Sequence, residues 1–319
     1  MPRITISDLS SKEYEHPLDR IALENLKKIP ALPKLMEIIN IPYNSISRAM
    51  HSGSYLRIND KQMPSMYKLM REACEILGVD EPEFYMSSDT VLNAYTSCPD
   101  KPIVCVSGYL VDFMDDDELM FVIGHELSHI KSQHIIYSAL ANVLREGILE
   151  TILSAIPGIG LVSGGISVAL NYAFYEWYQA GELTCDRGGY LACQNFNASA
   201  KALMKLAGFS RRYANELNYD EFLNQARNFE NKGSDVLGAV QKIILGYMAS
   251  THPYNVSRVF ELLKFEENGI YSNIIQRKPL DPEQLTSVNL DVSSVKQSAQ
   301  DTLEKTKNLA GNMFSKLKK

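Results

Sequence analysis

From Leu18 to about Leu77 apolar residues recur at helical spacing, interrupted by Pro30, Pro33, Pro42 and Pro64, so residues 1–62 are predicted as a helical N-terminal subregion. Three short β-rich runs follow: Glu83–Met86, Val91–Tyr95 and Pro102–Val106. Turn-prone Ser87-Ser88-Asp89 and Cys98-Pro99-Asp100-Lys101 separate them, which predicts three short strands. Asp115-Asp116-Asp117-Glu118 then opens a helix, placing acidic side chains at the positive end of its dipole. Helical patterning dominates again after Glu176, to about Ser272. The predicted fold class is therefore α+β, mainly helical, with a small three-stranded sheet beside the helix that starts at the acidic cluster. Residues 63–275 form its main domain.

Two stretches break this pattern. No charge occurs between Glu150 and Glu176, and residues 151–175 carry runs such as Ile159-Gly160-Leu161-Val162 and Ile166-Ser167-Val168-Ala169-Leu170. That length and hydropathy suit a bilayer span, which needs about 20 apolar residues. They equally suit a buried helical pair broken at Pro157-Gly158 and Gly164-Gly165. At the other end, residues 276–292 are polar and contain proline, the composition of a linker. Residues 293–319 read as an amphipathic helix, with Val295, Ala299, Leu303, Leu309, Met313, Phe314 and Leu317 apolar and six lysines against one Asp and one Glu. Such a helix suits an anionic membrane surface, a partner helix or the domain itself.

Composition adds bounds rather than identity. The chain has 319 residues, 45% of them hydrophobic and 22% charged, enough to bury a sizeable core. A net charge of −6 argues against a general nucleic-acid binder. The five cysteines (Cys74, Cys98, Cys105, Cys185, Cys193) are odd in number and lack CxxC spacing. The first twenty residues are polar and charged, with no signal-peptide core. A reducing, cytoplasmic setting is expected.

The chemistry concentrates in His125-Glu126-Leu127-Ser128-His129. Two histidines four apart lie on one helix face about one turn from each other. One Zn²⁺ can take both imidazoles, with Glu126 beside them to handle a water. A catalytic zinc needs three protein ligands, so a third group must come from elsewhere. The strongest candidate lies in Glu182-Leu183-Thr184-Cys185-Asp186, where Glu182 and Asp186 share a helix face. One carboxylate can ligate while the other hydrogen-bonds a ligating imidazole. Both could instead be solvated surface charges. His134, nine residues after His125, turns to about the opposite face of an ideal helix, which favours a structural or supporting role over ligation. His16 and His51 lie outside any motif.

Together, His125-Glu126-Leu127-Ser128-His129 and Glu182-Leu183-Thr184-Cys185-Asp186 resemble the HExxH…ExxxD pattern of the HtpX and CAAX-prenyl-protease (Oma-like) zinc metallopeptidases, a gluzincin branch. Asn93-Ala94-Tyr95, Ile103–Leu110, Asp117-Glu118-Leu119 and Thr251-His252-Pro253 with Arg258 resemble further landmarks of that family. The match covers roughly residues 63–263. Cys185 stands where the family usually has Ala, and Gln179-Ala180-Gly181 where it often has Arg or Asn. The transmembrane helices that precede the domain in membrane-embedded members have no counterpart, and the final basic helix lies outside the shared core.

The resemblance implies a zincin-like domain with one Zn²⁺ on His125, His129 and Glu182, and Asp186 as a supporting hydrogen-bond partner. It implies Glu126 as general base, with the His252/Arg258 element supplying the donor for the developing oxyanion; Tyr254 is a further candidate donor. Asn93, Ala94 and Tyr95 would form the edge strand on which an extended substrate pairs. The expected activity is metalloendopeptidase hydrolysis of protein or peptide substrates, cytoplasmic or membrane-proximal, with no nucleic-acid partner. The alternatives are a zinc-containing chaperone or adaptor and a membrane-surface binding protein. A shared zinc also forbids residues 151–175 from crossing a bilayer once, since His125 and Glu182 would then lie on opposite sides. An apolar hairpin, buried or dipped into one leaflet of an anionic membrane with the basic tail, satisfies both constraints.

Overall fold

The computed structural model describes residues 2–28, 32–137, 139–140, 143, 163–232 and 254–281. The chain begins with α1 (Ser11–Tyr14), α2 (Pro17–Lys27) and α3 (Leu32–Ser54), then β1 (Leu56–Ile58) and α4 (Pro64–Leu77). Next come β2 (Glu83–Ser87), β3 (Ala94–Ser97), β4 (Ile103–Ser107), α5 (Gly108–Phe113) and α6 (Asp116–Lys131). A 3₁₀ turn at His134–Tyr137 leads towards α7 (Ser163–Cys193), α8 (Phe196–Ala207), α9 (Tyr219–Lys232), α10 (Asn255–Glu267) and α11 (Ile270–Ile275). The α+β expectation holds: helices dominate around one small sheet.

Two proline positions behave differently from the expected breaks. Pro42 lies inside α3, while Pro64 occupies the first turn of α4, where its missing N–H costs no intrahelical bond. The sheet has four strands rather than three, in the order β1-β2-β4-β3. Only β2 and β4 run parallel; β1 and β3 pair antiparallel to them at the two edges. Strand β1 escapes sequence reading because three residues, of which only Ile58 is buried, show no alternation. Central β4 is buried throughout, so it reads as a continuous apolar run. Strand β3 starts three residues later than its β-rich run because Val91 is left exposed, while Asn93 accepts a bond from the Ser107 N–H at 2.8 Å just ahead of the strand.

Helix α6 is started by a capping box. The Asp115 side chain accepts from the Glu118 N–H at 2.9 Å, and Glu118 accepts from the Asp115 N–H at 2.9 Å. Its apolar positions Leu119, Met120, Ile123 and Leu127 join Phe84, Val104 and Val106 of the sheet and Met70 and Leu77 of α4 in the main core. Ile6, Leu9 and Tyr14 enter the same core, so the N-terminal subregion packs into the domain.

Helices α6 and α7 approach closely because glycines face each other. A Cβ on Gly124 would meet the Ala192 Cβ at 2.4 Å, and one on Gly189 would meet the Phe121 carbonyl at 2.6 Å. That contact fixes how far the His125 side of α6 stands from the Glu182 side of α7. The described part of helix α7 begins at Ser163 and includes Gly164-Gly165 in its first turn. The break expected at Pro157-Gly158, most of the linker 276–292 and the whole basic helix 293–319 lie outside the described residues. Among the described residues, no helix is long and apolar enough to cross a membrane.

Candidate metal centre

Helix α6 presents His125, Glu126 and His129, and α7 presents Glu182 and Asp186 opposite them. The His125 Nε2 and His129 Nε2 are 3.2 Å apart. Each lies 3.3 Å from a different Glu182 oxygen, Oε2 for His125 and Oε1 for His129. Ligands held about 2.0–2.1 Å from a tetrahedral zinc sit about 3.3 Å from one another, so the three groups match the edges of one coordination polyhedron. Glu182 is fully buried and His125 nearly so, which is costly for a carboxylate without a cation. Glu126, Glu182 and Asp186 against Arg258 leave an excess of two negative charges, the charge a divalent cation neutralises. The donor set therefore fits a metal ion.

Behind the imidazole sits a fixed support. Asp186 Oδ1 lies 3.0 Å from His125 Nδ1. Arg258, from α10, donates to the same carboxylate through Nε at 2.8 Å and Nη2 at 2.6 Å. Burial alone would raise the Asp186 pKa, but Arg258 and His125 outweigh it and hold the group below the usual carboxylate range. An ionised Asp186 keeps the His125 proton on Nδ1 and turns the Nε2 lone pair towards Glu182 and His129. Burial likewise lowers the His125 pKa, yet Glu182 and Asp186 overcome it and raise it to about 10. At His129 burial prevails and the pKa falls.

Glu126 lies beside the centre, and the Thr96 hydroxyl donates to its Oε2 at 2.7 Å and to its main-chain oxygen at 3.1 Å. Thr96 belongs to edge strand β3, in register with Val104 of β4. Alternation on that strand sends Ala94 and Thr96 to one face, while Tyr95 on the other meets His51 Nε2 at 3.0 Å. Ala94 and Tyr95 thus lie in the edge strand whose Thr96 reaches Glu126, and Asn93 lies just ahead of it.

The structure bears differently on three expectations. The resemblance makes Arg258 an oxyanion donor, whereas in the structure its guanidinium is taken up by Asp186, with Nη1 3.4 Å from Asn255 Oδ1. His252, the other expected donor, lies outside the described residues. His134 does not face away from His125. Helix α6 ends at Lys131, Gln133 takes a left-handed conformation (φ 60°), and the 3₁₀ turn folds His134 back until its ring centroid is 5.5 Å from that of His129. There its Nε2 sits 3.0 Å from Asp19 Oδ2 and its Nδ1 3.5 Å from Cys185 Sγ.

Residues 60–266 match peptidase family M48. The chain belongs to that family. It is 29% identical to the plastoglobule-localized metallopeptidase 48, chloroplastic, of Arabidopsis thaliana over 87% of this chain and 79% of that relative. It is 23% identical to a protease HtpX homolog of Polynucleobacter necessarius over 67% of this chain and 78% of the relative. A protease HtpX homolog of Streptococcus pyogenes is 30% identical over 36% of this chain and 39% of the relative. No solved structure matches. Membership makes this M48 protein a metallopeptidase with a metal-dependent site, and the α6/α7 pair is where its described residues gather metal-binding groups at the expected motif.

Thr96, Asp19 and Thr184 escaped sequence reading. Thr96 carries a weak signal, being in alternation with Ala94 on the expected edge strand. Asp19 carries none, since only the packing of α2 on α7 brings it to His134, where the Thr184 hydroxyl donates to its Oδ2 at 2.6 Å.

Proposed function

We propose that this M48 peptidase is a zinc-dependent endopeptidase, with His125, His129 and Glu182 holding the ion and Glu126 as general base. The observation that carries the reading is the convergence of two Nε2 atoms and both Glu182 oxygens, at 3.2–3.3 Å, beside an intact glutamate anchored by Thr96. When bound, zinc supplies Lewis acidity, lowering the pKa of water towards about 7. Glu126 takes the proton of the attacking water and delivers it to the departing amine. Thr96 holds Glu126 Oε2, leaving the other oxygen to face the water. Asp186 and Arg258 hold the His125 tautomer. An extended substrate adds to β3 through backbone bonds, which favours cleavage within a chain over capture of a terminus. All five cysteines are free and buried, which supports a reducing, cytoplasmic setting.

The test compares casein cleavage by the wild type and Glu126→Gln, with zinc content measured on both. The expected result is zinc retained in both and the rate lowered about 10²–10⁴-fold in the variant. Equal cleavage by both proteins would refute the assignment of Glu126.

A further inference from the structure

We propose that His129, His134 and Cys185 form a second cation site, suited to a soft, thiophilic divalent ion, whose filling disables the peptidase by taking His129 from the catalytic set. The inhibitory part rests on the reading of His125, His129 and Glu182 as that set. One donor atom from each of the three residues lies within 4.8 Å of the others. Cys185 Sγ and His134 Nδ1 are 3.5 Å apart. A sulfur about 2.3 Å and a nitrogen about 2.0–2.1 Å from one tetrahedral ion are separated by about 3.5 Å, so this edge is already at coordination length.

His134 is oriented as a ligand. Asp19 Oδ2, 3.0 Å from Nε2, keeps the ring proton on that nitrogen and leaves the Nδ1 lone pair facing the sulfur. Asp186 does the same for His125, with the two ring nitrogens exchanged. Trp177 stands edge-on to the His134 ring at 5.4 Å between centroids and limits its rotation. Without an ion, the Cys185 thiol donates to Nδ1. On binding, the S–H bond breaks, its proton leaves to solvent, and sulfur and Nδ1 both bond the ion. One thiolate with two imidazoles selects Zn²⁺ or Cd²⁺ over Mg²⁺ or Ca²⁺, which favour oxygen. A neutral imidazole has one lone pair, so His129 serves one ion at a time. The first equivalent of zinc loads the catalytic set, and excess soft metal draws His129 away.

The test titrates metal-stripped full-length protein with Cd²⁺ and follows thiolate-to-cadmium charge-transfer absorption in the near ultraviolet. The wild type is expected to saturate near one sulfur-bound ion per chain, Cys185→Ala to show no band, and Glu182→Gln to keep it. Cys185→Ser, which preserves side-chain size, replaces the alanine variant if that fails to give a wild-type circular dichroism spectrum. A band retained without Cys185, or absent from the wild type, overturns the site. In the second arm, peptidase activity is measured as Zn²⁺ rises beyond one equivalent. Inhibition of the Cys185 variant should need at least about tenfold more zinc, the smallest loss expected when a metal site is weakened. Equal sensitivity overturns the inhibitory coupling. A wild type that shows the cadmium band but cleaves nothing at one equivalent of zinc overturns the functional reading and the coupling, while leaving the second site standing.

Discussion

Replacing Asp186 by asparagine probes the support of the metal centre without changing its volume. Asp186 receives three donors on two oxygens: His125 Nδ1 at 3.0 Å and Arg258 Nη2 at 2.6 Å on Oδ1, and Arg258 Nε at 2.8 Å on Oδ2. An amide offers one oxygen and one NH₂. With its oxygen at the Oδ1 position, the NH₂ confronts the Arg258 Nε–H; flipped, it confronts both His125 and Nη2. At least one buried donor is left unmet in either orientation. The charge partner of a buried guanidinium is also lost, which by itself costs about 3–5 kcal/mol. Arg258 keeps Glu182 Oε2 at 3.9 Å, so the expected destabilisation of the metal-stripped protein is smaller, about 2–4 kcal/mol. Zinc affinity should fall about 10–100-fold, because His125 loses the carboxylate that fixes its tautomer. Urea denaturation of the stripped protein measures the first quantity, and competition with a chromophoric chelator measures the second. Zinc affinity within about twofold of wild type would refute the role given to Asp186, since any ligand-orienting carboxylate is worth more than that.

The remaining expectations use other parts of the structure. Thr96→Val should lower kcat by about 10-fold, with zinc content and KM little changed, because Glu126 loses the donor on Oε2; a fall in zinc content instead would make Thr96 a structural residue. Gly189→Ala drives a Cβ against the Phe121 carbonyl at 2.6 Å and should destabilise the protein by about 1–3 kcal/mol in denaturant titration, whereas an unchanged midpoint would show that the α6/α7 contact yields. Burial pushes the Glu261 carboxyl pKa up, but His16 and Lys264 overcome this and hold it at about 2, below its ordinary value of 4.5. A pKa depressed by folding adds stability above pH 4.5 that disappears as pH falls through 2. Chemical denaturation of the metal-stripped protein should therefore show up to about 3 kcal/mol lost across that window, and Glu261→Gln should flatten the loss.

The amino-acid sequence alone settled what depends on short-range periodicity. The acidic helix start at Asp115–Glu118, and histidines four apart at 125 and 129, are local patterns on a helix whose pitch is set by backbone geometry. The same holds for Glu182 and Asp186, each spacing placing its pair on one helix face whatever the rest of the chain does. The small sheet was legible where residues alternate or form buried runs, and illegible at β1, which is three residues long and held only by pairing with β2. Tertiary structure decided everything that depends on how elements meet. The opposed glycines bring α7 close enough to α6 for Glu182 to reach both histidines. Arg258, expected to face the substrate, is captured by Asp186 because a buried carboxylate needs a counter-charge. His134 shows the limit most clearly. Its predicted direction assumed an α6 that continues, and the chain instead leaves the helix after Lys131 and folds the ring back between Asp19 and Cys185. A helical period holds only while the helix lasts, and where α6 stops, and which partners wait beyond it, is set by long-range packing that no local spacing records.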